Sequence, residues 1–233
     1  MHLEVFAEEE WAGRVADEWG ERLQANPRMR MVLPTGATPR PLYREMARRS
    51  PDLRSSKVYV LDEFLGLPPG HVARCDVMMQ QDFIDLLDEP PILDALDAEA
   101  EDLDAEAARF ATAVASGAID LTMLGLGANG HIALNEPGST PEDGARVVTL
   151  HPGTVASMSA VADPPPRRGV TLGVADILRS EAVWLLVTGS GKAEMLARTV
   201  DGPIGREVPA TYLQNHPNTT VFADEPAARL LRP

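Results

Sequence analysis

The sequence predicts an α/β fold, in which a single domain is built on a mainly parallel, Rossmann-like sheet flanked by helices, as a three-layer sandwich. Two observations predict it. Short β-branched or apolar runs alternate with longer stretches of helical spacing, a pattern typical of strand–helix–strand crossovers. The chain has 233 residues, 44% of them hydrophobic, which is enough to bury one large core. We therefore expect residues 1–233 to form one domain.

Eight segments have the composition of strands. They are 3–6, 29–33, 57–61, 120–124, 147–150, 170–173, 182–187 and 219–222. Six stretches have helical spacing. They are 8–24, 39–49, 78–87, 105–116, 192–200 and 226–231. The segment 152–169 contains three consecutive prolines and a basic pair, and we expect a mobile loop there, either a lid or a flexible connection.

Composition and charge exclude several classes of protein. The net charge of −14 disfavours nucleic-acid binding, and the acidic stretch 85–106 is typical of a solvated surface. No apolar run approaches the roughly 18 residues of a membrane span, and the first residues do not resemble a signal peptide. The single cysteine, Cys75, excludes an intrachain disulfide framework. We expect a cytoplasmic protein with no nucleic-acid or membrane partner.

Small and polar residues follow four of the predicted strands directly. These segments are 34–39, 62–63, 125–137 and 188–192. In open parallel sheets, ligands bind beyond the carboxyl ends of the strands. We therefore expect the four segments to meet at one rim.

The first of these segments, Thr35-Gly36-Ala37-Thr38, stands between a strand and a helix that Pro39 begins well. Backbone N–H groups at a helix N-terminus, with the positive end of the helix dipole, form a phosphate site. The alternative is a simple turn capped by the Thr38 hydroxyl.

The segment Gly189-Ser190-Gly191-Lys192 adds a positive charge at another strand end. It fails the Walker A pattern, because Leu186 stands where glycine is required and Ala193 where Ser or Thr is required. Only two lysines occur in the chain, Lys57 and Lys192. The two loops and one lysine suit a monophosphate better than a triphosphate.

Asp62 and Glu63 lie where a buried strand meets the rim. Burial and like charge raise a carboxylate's pKa, so such a pair can act as base and partner. Adjacent acids at a strand end can equally be surface residues.

The loop from Gly125 to Pro137 brings Gly127, Gly130, His131 and Glu136 into one short segment. Its glycines match the dinucleotide spacing, but Pro137 prevents the long helix that should follow. His131 is either a catalytic group or a core histidine. The glycines and Glu136 beside it favour catalysis.

Taken together, these motifs resemble the glucosamine-6-phosphate deaminase family, whose relative, 6-phosphogluconolactonase, shares the fold and the Gly-rich His core. The matching segments span most of the chain. They are Leu33 to Pro39, Leu61 to Pro68, Leu124 to Pro137, Gly189 to Lys192 and Leu213 to Pro217.

The resemblance implies the fold of sugar-phosphate isomerases and a reaction that converts an amino-sugar 6-phosphate to a ketose phosphate and ammonia, without metal or organic cofactor. It implies that His131, supported by Glu136, opens the sugar ring, and that Asp62 moves a proton from C2 to C1. It also assigns substrate and phosphate binding to the small residues of the two Gly loops and to the lysine. These residues are Thr35, Gly36, Ala37, Thr38, Gly127, Gly130 and Lys192.

The chain departs from the family pattern at several positions. Asn129 stands where many relatives have an aspartate that orients the histidine, and we expect its amide to accept a hydrogen bond from the ring. Ala160 stands where the family has a lid arginine that reaches the phosphate, so Arg167 or Arg168 would have to replace it.

Two other functions stay open at this point. One is a lactonase in which His131 activates water. The other is a non-catalytic sugar-phosphate sensor, although no basic helix-turn-helix precedes the domain. In each case the partner is a small sugar phosphate. The residues fix no oligomeric state, and a homo-oligomer is compatible with them.

Overall fold

The apolar runs of the sequence lie side by side in a seven-stranded, fully parallel sheet, in the order β1-β10-β9-β6-β2-β3-β5. The computed structural model describes residues 1–231. The strands of this sheet are β1 (His2–Phe6), β2 (Arg30–Leu33), β3 (Lys57–Val60), β5 (Ile92–Asp94), β6 (Leu121–Gly125), β9 (Val183–Val187) and β10 (Thr219–Asp224).

Helices cover both faces of the sheet. They are α1 (Glu8–Ala25), α2 (Pro39–Arg48), α3 (Cys75–Asp82), α4 (Leu103–Ala115), α5 (Pro152–Met158), α6 (Val174–Ile177), α7 (Ala193–Asp201) and α8 (Glu225–Ala228). Short 3₁₀ turns occupy Ile84–Leu86, Ser190–Lys192 and Pro209–Asn215.

Alternate strand residues enter two separate cores, as the two-residue period of a strand requires. Met31 and Leu33 pack with Trp19 and other side chains of α1, α2 and α3, whereas Val32 packs on the opposite face with Phe110 of α4. The sheet therefore lies between two helical layers. This arrangement confirms the predicted three-layer α/β fold, and all eight predicted strands are present within one or two residues of their expected ends.

Two of the predicted strands lie outside the main sheet. β7 (Arg146–Thr149) and β8 (Arg168–Thr171) pair antiparallel with each other, and β8 pairs antiparallel with β4 (Asp62–Leu65), which the sequence analysis did not predict. One residue, Leu61, separates β3 from β4. The chain thus passes from the parallel sheet into the small sheet at the rim where ligands are expected.

The segment 152–169, expected to be a loop, begins instead with helix α5 and ends in β8. Pro152 occupies its first turn, and the His151 ring accepts a hydrogen bond from the Gly153 N–H at 3.1 Å. No residue of α5 is buried, so the helix lacks the apolar periodicity that a sequence pattern detects. It lies over the rim as a covering element.

No helix among residues 1–231 combines the length and the apolar character needed to cross a lipid bilayer.

Candidate active site

The four segments that follow the parallel strands border one cleft of about 820 Å³. Residues 34–39 follow β2, and Leu61 and Asp62 follow β3. Residues 126–129 and His131 follow β6, and Lys192 follows β9. The covering helix α5 adds Thr154, Ser157 and Met158. The expected convergence at one rim is therefore confirmed.

Asp62 places a nearly buried carboxylate in this cleft, with 9% of its surface exposed. The Cys75 thiol donates to its Oδ1 at 3.6 Å. Burial raises the pKa of Asp62 to about 6, while the Cys75 contact and the charge of His131 limit the rise. Such a group is ionised at neutral pH yet more basic than an ordinary aspartate, which suits it to remove a proton.

Glu63 points away from the cleft, because successive residues of a strand face opposite sides. Its carboxylate accepts hydrogen bonds from the backbone N–H groups of Phe64, Cys75 and Asp76 at 2.7 to 2.9 Å. These bonds fix the start of α3, which lies three residues before the predicted start. Burial raises the pKa of Glu63, and the N–H donors oppose the rise. Asp62 and Glu63 therefore have separate roles and do not act as a base with its partner.

The imidazole of His131 is paired with Glu136. Its Nδ1 lies 3.2 Å from Glu136 Oε2. Burial disfavours the charged carboxylate, but the hydrogen bond and charge of His131 and the amide of Asn129 lower the pKa of Glu136 to about 2. An ionised carboxylate only accepts, so Nδ1 carries the proton in this contact and Nε2 is left to exchange a proton with a ligand.

Asn129 contacts the pair differently from the sequence-based expectation. Its amide Nδ2 donates to Glu136 Oε2 at 2.7 Å, and its Oδ1 accepts from the backbone N–H of His131 at 3.2 Å. The ring proton goes to Glu136, so the expected bond from the ring to the amide was wrong. An aspartate at position 129 could not donate to Glu136. Asn129 thus supports the carboxylate that supports the histidine.

The loop Thr35–Thr38 leads into α2 without a side-chain cap. Gly36 has a φ of +102°, and the Thr38 hydroxyl accepts no hydrogen bond from the first turn of α2. The alternative of a turn capped by Thr38 is therefore not what the structure contains. Pro39 and Pro41 have no N–H, so the donors beside the cleft at this end of α2 are the backbone N–H groups of Gly36, Ala37, Thr38 and Arg40, where a helix N-terminus favours an anion.

Lys192, next to α7, is the lysine of the cleft. Burial lowers the pKa of its amine, and no carboxylate among residues 1–231 forms an ion pair with it. The other lysine, Lys57, lies elsewhere, with its amine 3.1 Å from Asp94 and above the Tyr59 ring. The two lysines of the chain therefore have different surroundings, and only Lys192 faces a ligand cavity.

The two glycines assigned to substrate binding differ in position. Gly127 borders the cleft, and a Cβ there would lie 2.5 Å from the His131 ring, so this glycine leaves room for the imidazole. Gly130 has a φ of +86° and packs against Val208, outside the cleft lining. Its backbone conformation shapes the loop. No long helix follows β6, in agreement with the exclusion of a dinucleotide site.

No arginine borders the cleft at positions 160, 167 or 168, where a lid arginine was expected. Ala160 follows α5, Arg168 lies in β8 opposite Thr149, and neither Arg167 nor Arg168 contributes to the cleft wall. Among residues 1–231, the arginine that does contribute to the cleft wall is Arg40, the second residue of α2. The sequence contained a signal for this position that was overlooked. A cation in the first turn of a helix is unfavourable because it faces the positive end of the helix dipole, so its presence there indicates a nearby anion.

The residues described include no group of three or more His, Cys, Asp and Glu side chains arranged to hold a metal ion. The cleft holds one buried carboxylate, one imidazole–carboxylate pair, a helix N-terminus and two cations, of which Arg40 is paired with the lining carboxylate of Asp82. Such a set can bind a phosphorylated ligand and move protons at two points along it.

The chain is similar to known proteins over nearly its whole length. It is 35% identical to a glucosamine-6-phosphate deaminase of Rhodopirellula baltica, with 99% of this chain and 96% of the relative covered. It is also 35% identical to one of Beutenbergia cavernae, over 95% and 88%.

Solved structures give the same result for the fold. A monomeric glucosamine-6-phosphate deaminase matches with a TM-score of 0.94 at 30% identity, over 99% of this chain and all of that one. A 6-phosphogluconolactonase of Thermotoga maritima shares the fold alone, with a TM-score of 0.77, 18% identity, and 96% and 99% of the two chains covered. The family described as glucosamine-6-phosphate isomerases/6-phosphogluconolactonase matches residues 6–222, and this chain belongs to it.

Proposed function

We propose that this enzyme converts an amino-sugar 6-phosphate, glucosamine 6-phosphate or a close analogue, with water to a ketose 6-phosphate and ammonia. One observation carries the proposal. A buried carboxylate and an imidazole–carboxylate pair border the same cleft as an uncapped helix N-terminus and a half-buried lysine. The relatives named glucosamine-6-phosphate deaminase support the choice of substrate.

The first chemical step is ring opening. His131, with Nδ1 held by Glu136, takes the proton of the C1 hydroxyl at Nε2 and gives it to the ring oxygen as the bond between C1 and that oxygen breaks, which yields the open-chain aldehyde. The ionised Glu136 stabilises the imidazolium form that gives this proton. Asn129 keeps Glu136 in place.

The second step is proton transfer between carbons. Asp62 removes the proton from C2, and the carbonyl oxygen takes up a proton, which leaves an enolamine. Asp62 then returns its proton to C1, and the resulting imine at C2 is hydrolysed to the ketone and ammonia. Thr35, Gly36, Ala37, Thr38 and Lys192 hold the phosphate, and this distant contact positions C1 and C2. Gly127 contributes by leaving space for the His131 ring, and Gly130 by shaping the loop.

The test of this function is product formation. Purified protein with glucosamine 6-phosphate should release ammonia and ketose 6-phosphate in equal amounts, and glucose 6-phosphate, which lacks the amine, should give no ammonia. Hydrolysis of a 6-phosphogluconolactone without ammonia from any amino-sugar phosphate would establish the lactonase instead. Binding without any product would establish a sensor.

Replacing Lys192 by alanine should mainly weaken substrate binding. The ammonium group faces the cleft without an ion-pair partner among the residues described, so its removal takes away a charge-assisted contact to the phosphate. We expect KM to rise about tenfold to a hundredfold, with a smaller change in kcat. Steady-state kinetics with glucosamine 6-phosphate measures both.

The matched control is Lys57→Ala, which removes the same charge outside the cleft and should leave KM unchanged. If Lys192→Ala has a wild-type KM and kcat/KM, the phosphate lies elsewhere.

The partner under this proposal is a small phosphorylated sugar. The sugar phosphates of metabolism carry charge and are retained inside cells, so we also propose a cytoplasmic location. We propose no nucleic-acid or membrane partner, because the chain carries a net charge of −14.

A further inference from the structure

Arg40 borders the cleft shortly after the loop Thr35–Thr38. It is the second residue of α2, two positions beyond Thr38, and it contributes to the cleft wall together with Thr35 to Thr38 and Lys192. The family resemblance gives no role to this position. The side chain is 40% exposed, so a ligand in the cleft can reach it.

The guanidinium group of Arg40 is held along one edge only. Its Nε donates to Asp82 Oδ1 at 2.9 Å, across the gap between α2 and α3. No hydrogen bond from Nη1 or Nη2 to a residue within 1–231 is present. Asp82 thus fixes the plane of the group, and the edge formed by the two terminal nitrogens keeps the geometry that binds two phosphate oxygens at once.

The positive charge of Arg40 is unfavourable at its position in the first turn of α2. α2 has no acidic residue in its first turn, and a cation there faces the positive end of the helix dipole. Asp82 balances part of that charge. A phosphate dianion placed between Arg40, the backbone N–H groups of the loop Thr35–Thr38 and Lys192 would balance the rest.

The phosphate of the proposed substrate is a dianion, and Lys192 balances one of its two charges. Ala160 cannot balance the other charge, and Arg167 and Arg168 do not border the cleft. Of the arginines of the chain, Arg40 is the one in the cleft wall within the described residues.

We propose that Arg40 binds the substrate phosphate from the first turn of α2 and takes the place of the missing lid arginine. This inference rests on the proposed function for the identity of the ligand, an organic phosphate. It makes Arg40 a residue of substrate binding, and Asp82 the residue that orients it.

The experiment measures binding and turnover separately. Isothermal titration with glucitol 6-phosphate, which has no ring to open and no amine to lose, gives Kd for wild type, Arg40→Ala and Arg40→Lys. We expect Arg40→Ala to raise Kd about ten- to fiftyfold. Arg40→Lys keeps the charge but loses the second donor, so its Kd should lie between those of the wild type and Arg40→Ala. KM for glucosamine 6-phosphate should rise in parallel, with kcat within about threefold of wild type.

The matched control is Arg44→Ala, since Arg44 is exposed on the same helix one turn later and its loss changes the net charge equally. It should bind as wild type. A wild-type Kd for Arg40→Ala would overturn the proposal. If this variant also had a lower Tm than the wild type, the Arg40–Asp82 pair would serve only to join α2 to α3. Failure of the wild type to bind glucitol 6-phosphate would also overturn it. If the wild type releases no ammonia, the proposed function fails, and the titration still decides the role of Arg40.

Discussion

Asp62→Asn is expected to reduce turnover by about 10³-fold while making the protein more stable. The amide is nearly isosteric with the carboxylate but cannot accept a proton from C2. Substrate binding should persist, because the phosphate contacts lie on other residues. Single-turnover kinetics should show no ammonia burst, and in D₂O the C2 hydrogen should not exchange with solvent. A variant that kept a near-normal rate would refute the assignment of Asp62 as the base.

The gain in stability follows from the raised pKa. In the folded protein, burial raises the pKa of Asp62 to about 6, whereas the ordinary value is 3.8. Between these two values the folded state holds a proton that the unfolded state has lost, so stability falls as the pH rises through this window. Above pH 6 the full penalty is present, about 3 kcal/mol, and the asparagine variant does not carry it.

Thermal unfolding measures this penalty directly. The Tm of Asp62→Asn should exceed that of the wild type by up to about 10 °C at pH 7. The difference should shrink as the pH is lowered from 6.5 towards 4.5. Asp88→Asn, at an exposed aspartate, is the control and should leave Tm unchanged at every pH. A variant less stable than the wild type at pH 7 would show that Asp62 contributes to the fold as an ionised group.

Most of the parallel sheet could be predicted from the sequence because its inner strands are buried on both faces, whereas the edge strand β5, which has no buried residue, was missed. The five residues of β9, for example, are all buried and all apolar. The rim could be predicted for the same reason, since the ends of such strands are marked by an abrupt change to small and polar residues.

The small sheet beside the cleft could not be predicted. β4 begins with Asp62 and Glu63 and contains no β-branched residue, so Phe64 is its one residue that favours a strand. What makes it a strand is pairing with β8, more than 100 residues later in the chain. The same kind of distant contact, from the Glu63 carboxylate, fixes the start of α3.

Side-chain pairing in the loop from Gly125 to Pro137 was only partly predictable from the sequence. Glu136 was expected to support His131, and five residues of separation allow the contact seen at 3.2 Å. Whether the ring would bond to Glu136 or to Asn129 could not be decided from the sequence, because both residues lie within reach of the ring. The turn formed by residues 132–135, with Ala133 at a φ of +53°, brings Glu136 back to the ring and decides it.

His131→Gln is expected to lower kcat/KM by about 10²- to 10³-fold, a large loss that still leaves a measurable rate. The reason for the residual rate is that a sugar ring opens slowly in water without a catalyst, and Asp62 can still act on the open-chain form. In D₂O, deuterium should therefore enter at C1 of the ketose in this variant at the same reduced rate as ammonia is released, because Asp62 still delivers the proton there, and this separates it from Asp62→Asn.

Glu136→Gln tests the pair itself. The amide preserves a hydrogen-bond acceptor near Nδ1 but removes the charge that stabilises the imidazolium, so its loss of rate should be smaller than that of His131→Gln. Because both residues act in one step, the double variant should be little worse than His131→Gln alone. The exposed His2→Gln is the control for loss of an imidazole. Strictly additive losses in the double variant, or a near-normal rate for His131→Gln, would contradict ring opening by a His131–Glu136 pair and leave Asp62 as the one proton-transfer group of the cleft.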